Sequence, residues 1–174
     1  MKNSWLKSNI IGIIFVSILG TLSHFIYEWS GSNKIIGFFT PVNESTWEHM
    51  KLLFFPMLFY CMITWFSKPK INKLSYQTKN NSRKQYRKES GIVPGTILIP
   101  ILFYTYSGIL GFHLAWIDIS IFFISVIFAF VLRCHNIPIK IYQRIILFIL
   151  ILLLGIGFCF FTYYPPALGI FQIP

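Results

Sequence analysis

Residues 145–161 read IILFILILLLGIGFCFF, without a single charged side chain. A helix apolar on every face has no solvated side to offer water. In lipid it needs nothing further, because a helix satisfies its own backbone polar groups. With its flanks the run covers 142–164, and crossing the ~30 Å hydrocarbon layer takes roughly 20 helical residues. Outward from it, four more stretches meet the same requirement: 9–29, 44–66, 92–113 and 117–135. The second opens on the polar sequence NESTWEH, and the fourth carries Asp118, Arg133 and His135, yet both remain long enough. The expected fold is all-α: a polytopic transmembrane helix bundle of about five spanning helices, one integral membrane domain over 1–174.

Composition agrees. A mean hydropathy of +0.65 with only 11 % charged residues excludes an ordinary soluble domain, where charged residues make up about a quarter of the chain. Lys2 and Lys7 precede an apolar stretch that runs on from Ile10 to Ile26. That exceeds the roughly 7–15 residues of a signal-peptide core, and no small-residue cleavage site follows, so a retained helix is expected. Cys61, Cys134 and Cys159 are scattered in apolar segments without metal-ligand spacing and read as small hydrophobic residues.

Lys and Arg set the expected orientation, since segments rich in them stay in the cytoplasm. The linker 67–91 holds Lys68, Lys70, Lys73, Lys79, Arg83, Lys84, Arg87 and Lys88. Placing that loop inside puts the N-terminus in and the C-terminus out. Thirteen of the 15 basic residues then lie inside, leaving Lys34 and Lys51 outside. The net charge of +10 is thereby explained by topology and by attraction of the 67–91 loop to anionic inner-leaflet lipid. Expected partners are membrane lipids and a second copy of the chain, with no nucleic acid, and the expected location is the cell membrane.

In this orientation the ionisable residues gather at the outer end. His24 and Glu28 close the first span, Glu44, Glu48 and His49 open the second, His113 ends the third and Asp118 starts the fourth. Ionisable groups at membrane depth are costly, so they pair, bind an ion or line a wet cavity. His24 with Glu28, and Glu44 with Glu48, are each four apart and share a helix face. Imidazole and carboxylate together suit a divalent metal such as zinc. The candidate ligands are His24, Glu28, His49, His113 and Asp118, with Glu48 or Glu44 as general base. Such a set fits a metal-dependent hydrolase or transferase acting on a lipid or lipid-linked substrate at the outer face. The alternatives are a proton- or ion-coupled transporter or accessory subunit, with Tyr60, Thr64, Ser107 and Ser125 as sparse polar steps, and a structural protein without chemistry.

Each element also has a plainer reading. H-E-x-x-H is absent, and STWEH has Ser45 where H-x-x-E-H requires its first histidine. Asn43 can cap the second span, Glu44 can favour its positive end, and Glu48 can pair with Lys51 at the membrane surface. Segment 30–42 and the tail FTYYPPALGIFQIP read as interfacial. Gly31, Gly37 and Pro41 are expected to break any helix in the first, and the second is placed to cap the cluster.

The blocks SHFIYEW (23–29), FFTPVNESTWEHMKLLFFP (38–56), YTYSGILG (104–111) and the terminal FTYYPPALGIFQIP resemble a family of small bacterial integral membrane proteins of unknown function, DUF6512-like. The resemblance covers nearly the whole chain and implies a multi-spanning fold. It carries no activity, cofactor or catalytic residue.

Overall fold

A computed structural model describes residues 2–66, 89–134 and 140–174, so most of the 67–91 loop and His135 lie outside the described residues. The described chain is all-helical: α1 (Lys2–Trp29), α2 (Lys34–Gly37), α3 (Thr46–Phe66), α4 (Ile92–Leu110), α5 (Ala115–Cys134), α6 (Ile141–Phe161) and a closing 3-10 turn (Gly169–Phe171). Five of these helices are long and apolar enough to cross a membrane, as in a multi-pass membrane protein. The expected spans recur: α3 starts two residues later than expected, α4 and α6 each end three residues earlier, α5 starts two residues earlier, and α1 extends back to Lys2. The segment 30–42 does contain a helical turn, α2. Asn33 starts it by accepting the Ile35 N–H at 2.9 Å, so the glycines confine that helix and do not abolish it.

The core lies where α3 meets its neighbours. Val16 of α1, Leu53, Phe54 and Met57 of α3, Val126 and Ala129 of α5 and Phe158 of α6 are sealed from solvent. By contrast α6 and the outer faces of α1, α4 and α5 expose Ile, Leu and Phe throughout, the surface a lipid-facing helix presents. Lipid tails are as apolar as those side chains, so helices associate by close packing, aided by small residues. Two contacts show it. Pro56 inside α3 has no N–H to offer the Leu52 carbonyl, and Gly20 of α1 lies against that oxygen so closely that a Cβ would stand 2.6 Å from it. At the head of α4, a Cβ on Gly91 would stand 1.9 Å from the Ala129 carbonyl of α5, and one on Gly95 would stand 2.6 Å from the Ala129 methyl.

The Gly91 contact is backbone against backbone and has no side chain to yield. Gly91→Ala is therefore expected to cost about 1–3 kcal/mol, the range for overpacking a filled interior. A lowered unfolding midpoint in detergent checks this; an unchanged midpoint would show that α4 and α5 are free to part there.

Candidate metal centre

The polar start of α3 is built from its own sequence. Asn43 accepts the Ser45 N–H at 2.9 Å, and Ser45 Oγ accepts the Glu48 N–H at 3.4 Å. Ser45, and not the expected Asn43, is thus the side chain that caps the helix. This leaves Glu44 outside the helix and its carboxylate free to swing toward α1. Glu44 Oε2 lies 3.4 Å from His24 Nε2 and 3.3 Å from His49 Nε2. One ligand atom from each of His24, Glu44 and His49 lies within 4.8 Å of the others.

The tautomer of His49 follows from its second nitrogen. Nδ1 sits 3.0 Å from the Ser45 carbonyl, which only accepts, so Nδ1 carries a proton and, in the neutral ring that a metal requires, Nε2 presents a lone pair. That lone pair faces a carboxylate oxygen, and two acceptors in apposition call for a proton or a cation between them. The spacing suits a metal. Ligands about 2.1 Å from zinc at tetrahedral angles lie roughly 3.4 Å apart, close to both measured separations. An imidazole whose other nitrogen is held by a backbone carbonyl is also the usual arrangement of a metal-bound histidine.

The cluster opens on a cavity of about 600 Å³ between α1, α3, α4 and α5. Its walls are mainly apolar, with Phe25, Phe103, Phe122 and Ile121 among them, and Ile173 and Pro174 of the tail lie on one side. Trp47 positions that tail, its ring 4.9 Å from Phe171 and 4.8 Å from Phe158 of α6. His113 and Asp118 line the same cavity as a separate pair: His113 Nδ1 is 3.4 Å from Asp118 Oδ2. Tyr106 donates its hydroxyl proton to Asp118 Oδ1 and accepts the Leu114 N–H at 3.2 Å, bracing the α4–α5 turn.

Other expected site residues stand apart. Glu28 is exposed, does not line the cavity and makes no ion pair among the described residues. Glu48 is turned away from the cavity and buried with Lys51. Lys51 Nζ donates to Glu48 Oε2 at 2.8 Å, to the Gly37 carbonyl at 2.9 Å and to Thr162 Oγ1 at 2.5 Å. The Val42 N–H donates to Glu48 Oε2, and Thr162 Oγ1 lies 2.9 Å from Glu48 Oε1. Both charges are essentially sealed, at 0 % and 2 % side-chain exposure. The i,i+3 spacing signalled the pair, but nothing in the local sequence marked Thr162 as its third member.

A family model described as a family of unknown function (DUF6512) matches residues 1–173. The chain belongs to DUF6512. No curated protein and no solved structure matches it. For this DUF6512 member, then, the site's own geometry carries the functional reading.

Proposed function

We propose that His24, Glu44 and His49 hold a divalent metal such as zinc, and that the site serves a hydrolase or transferase acting on a lipid or lipid-linked substrate. The observation that carries this reading is the spacing of 3.3 and 3.4 Å between one carboxylate oxygen and two imidazole nitrogens at the mouth of a largely apolar cavity. Three protein ligands leave a tetrahedral ion one position for water or substrate, the arrangement of catalytic rather than structural zinc sites. An ion there supplies an activated water or a polarised carbonyl. Glu44 serves as ligand. Glu48, committed to Lys51, holds α3 in place and takes no part in proton transfer.

His24, His49 and Glu44 retain 32 %, 29 % and 61 % side-chain exposure, so the ligands are reachable from the medium. In the orientation expected from the basic loop, that medium is outside the cell. The transport reading has less to rest on: Thr64 donates to the Cys61 carbonyl at 3.0 Å within α3 and Tyr60 to the Ser8 carbonyl of α1, bonds that do not lead to the cluster.

Elemental analysis of the detergent-purified chain after exposure to zinc is expected to give one equivalent. In right-side-out vesicles, a membrane-impermeant chelator is expected to remove it. Absence of bound metal overturns the centre, and retention until the membrane is permeabilised overturns the outward orientation.

A further inference from the structure

The charges around the cavity discriminate between classes of lipid substrate. Its lining contains no Lys or Arg, and besides the three histidines its ionisable side chains are Glu44 and Asp118. With His24 and His49 neutral, as ligation requires, and His113 beside Asp118 also uncharged, a divalent ion and two carboxylates sum to zero. The neighbouring Lys51–Glu48 pair adds nothing, being neutral as a unit, and Glu28, exposed at the end of α1, can only add negative charge. A phosphate ester entering this space would bring one or two negative charges into apolar surroundings with no cation to offset them beyond an ion already neutralised. Burying a charge without such compensation is strongly unfavourable.

An uncharged carbonyl meets no such obstacle. Its oxygen needs only a donor or a Lewis acid, and the alkyl chain attached to it finds Phe103, Ile119, Phe122 and Phe123 on the walls. A volume of about 600 Å³ lies within the range that encloses a drug-sized ligand. We infer that the substrate is a long-chain carboxylic ester or amide with an uncharged reacting group, and not a phosphate ester. In hydrolysis, water oxygen adds to the carbonyl carbon, the acyl C–O or C–N bond breaks, and the proton lost by water ends on the departing oxygen or nitrogen. His113, held by Asp118 on the same cavity, is placed to pass that proton.

The inference rests on the metal reading, so zinc uptake is measured first on the same sample of full-length protein. N-Methyloctanamide, N-methylacetamide and octyl phosphate are then titrated into the zinc-loaded protein, with tryptophan fluorescence as the readout. N-Methyloctanamide, hereafter octanamide, is expected to bind about tenfold more tightly than either of the others. Phosphate is intrinsically the better zinc ligand, so a preference for the amide has to come from the cavity. Ile119→Lys, at an exposed wall position whose side chain can reach the interface, is expected to narrow the gap between octanamide and octyl phosphate. Octyl phosphate binding as tightly as octanamide to the wild type overturns the substrate class while leaving the metal centre standing. Equal binding of the two amides overturns the alkyl-chain role. Failure to take up zinc is detected before any amphiphile is added and overturns both readings.

Discussion

Lys51→Met is expected to destabilise the protein by about 3–5 kcal/mol, the cost of leaving one partner of a buried ion pair uncompensated. Methionine fills most of the volume that the lysine stem occupies, so the loss reports charge and hydrogen bonding and not a cavity. Glu48 would retain the Val42 N–H and Thr162 but lose the ammonium 2.8 Å from Oε2. The carbonyls of Gly37 and Thr40, at 2.9 and 3.4 Å from Nζ, would lose their shared donor. The double variant Glu48→Gln/Lys51→Met removes both charges and is expected to be more stable than Lys51→Met alone, because no net charge is then left buried. Reversible unfolding in mixed detergent measures both. Equal stability of the single and the double variant would mean that the pair is wet in the membrane.

Zinc affinity is expected to respond to the neighbouring residues instead. His49→Ala and Glu44→Gln each remove a proposed ligand, so the dissociation constant should rise by about 100-fold or more, beyond the roughly 10–100-fold cost of losing an outer-shell partner. Glu44→Gln preserves size and can still hydrogen bond to the imidazoles. Its loss of zinc therefore isolates the anionic oxygen that sits 3.3 and 3.4 Å from the two nitrogens. Among molecules that remain folded, Glu48→Gln should leave zinc affinity unchanged, since its carboxylate faces Lys51. Calorimetric titration of the three variants decides the matter. Weakened zinc in Glu48→Gln with normal zinc in Glu44→Gln would exchange the roles of the two glutamates.

The spans were legible because lipid reduces their specification to the length of an apolar run. The 145–161 stretch has little choice of structure there. The grouping of His24, Glu44, His49, His113 and Asp118 at one end of the bundle was also legible, from alternation of direction through successive spans. The internal division of that group was not. Helical spacing linked Glu28 to His24, but Glu28 belongs to the exposed end of α1 and its carboxylate leaves the cavity. The same rule linked Glu44 to Glu48, yet Glu44 precedes the Ser45 cap, so helical periodicity does not reach it. Its direction is set by the turn through 41–45. For Glu48 and Lys51 the pairing could be read from spacing, but their burial depends on the Gly37 carbonyl and on Thr162, distant in sequence and invisible to any local pattern.

The buried pair also bears on how the chain enters the membrane during synthesis. Glu48 and Lys51 are three residues apart, so their bond can form as soon as the first turns of α3 coil, and the segment can be handed to lipid with its charges already cancelled. Thr162 emerges 111 residues after Lys51. Until then one side of the pair has no hydroxyl to meet it. The last helix therefore acts as the latch of the assembly: a chain halted before Thr162 would hold its first spans with an open polar seam, the kind of defect by which membrane quality control can tell an unfinished bundle from a finished one.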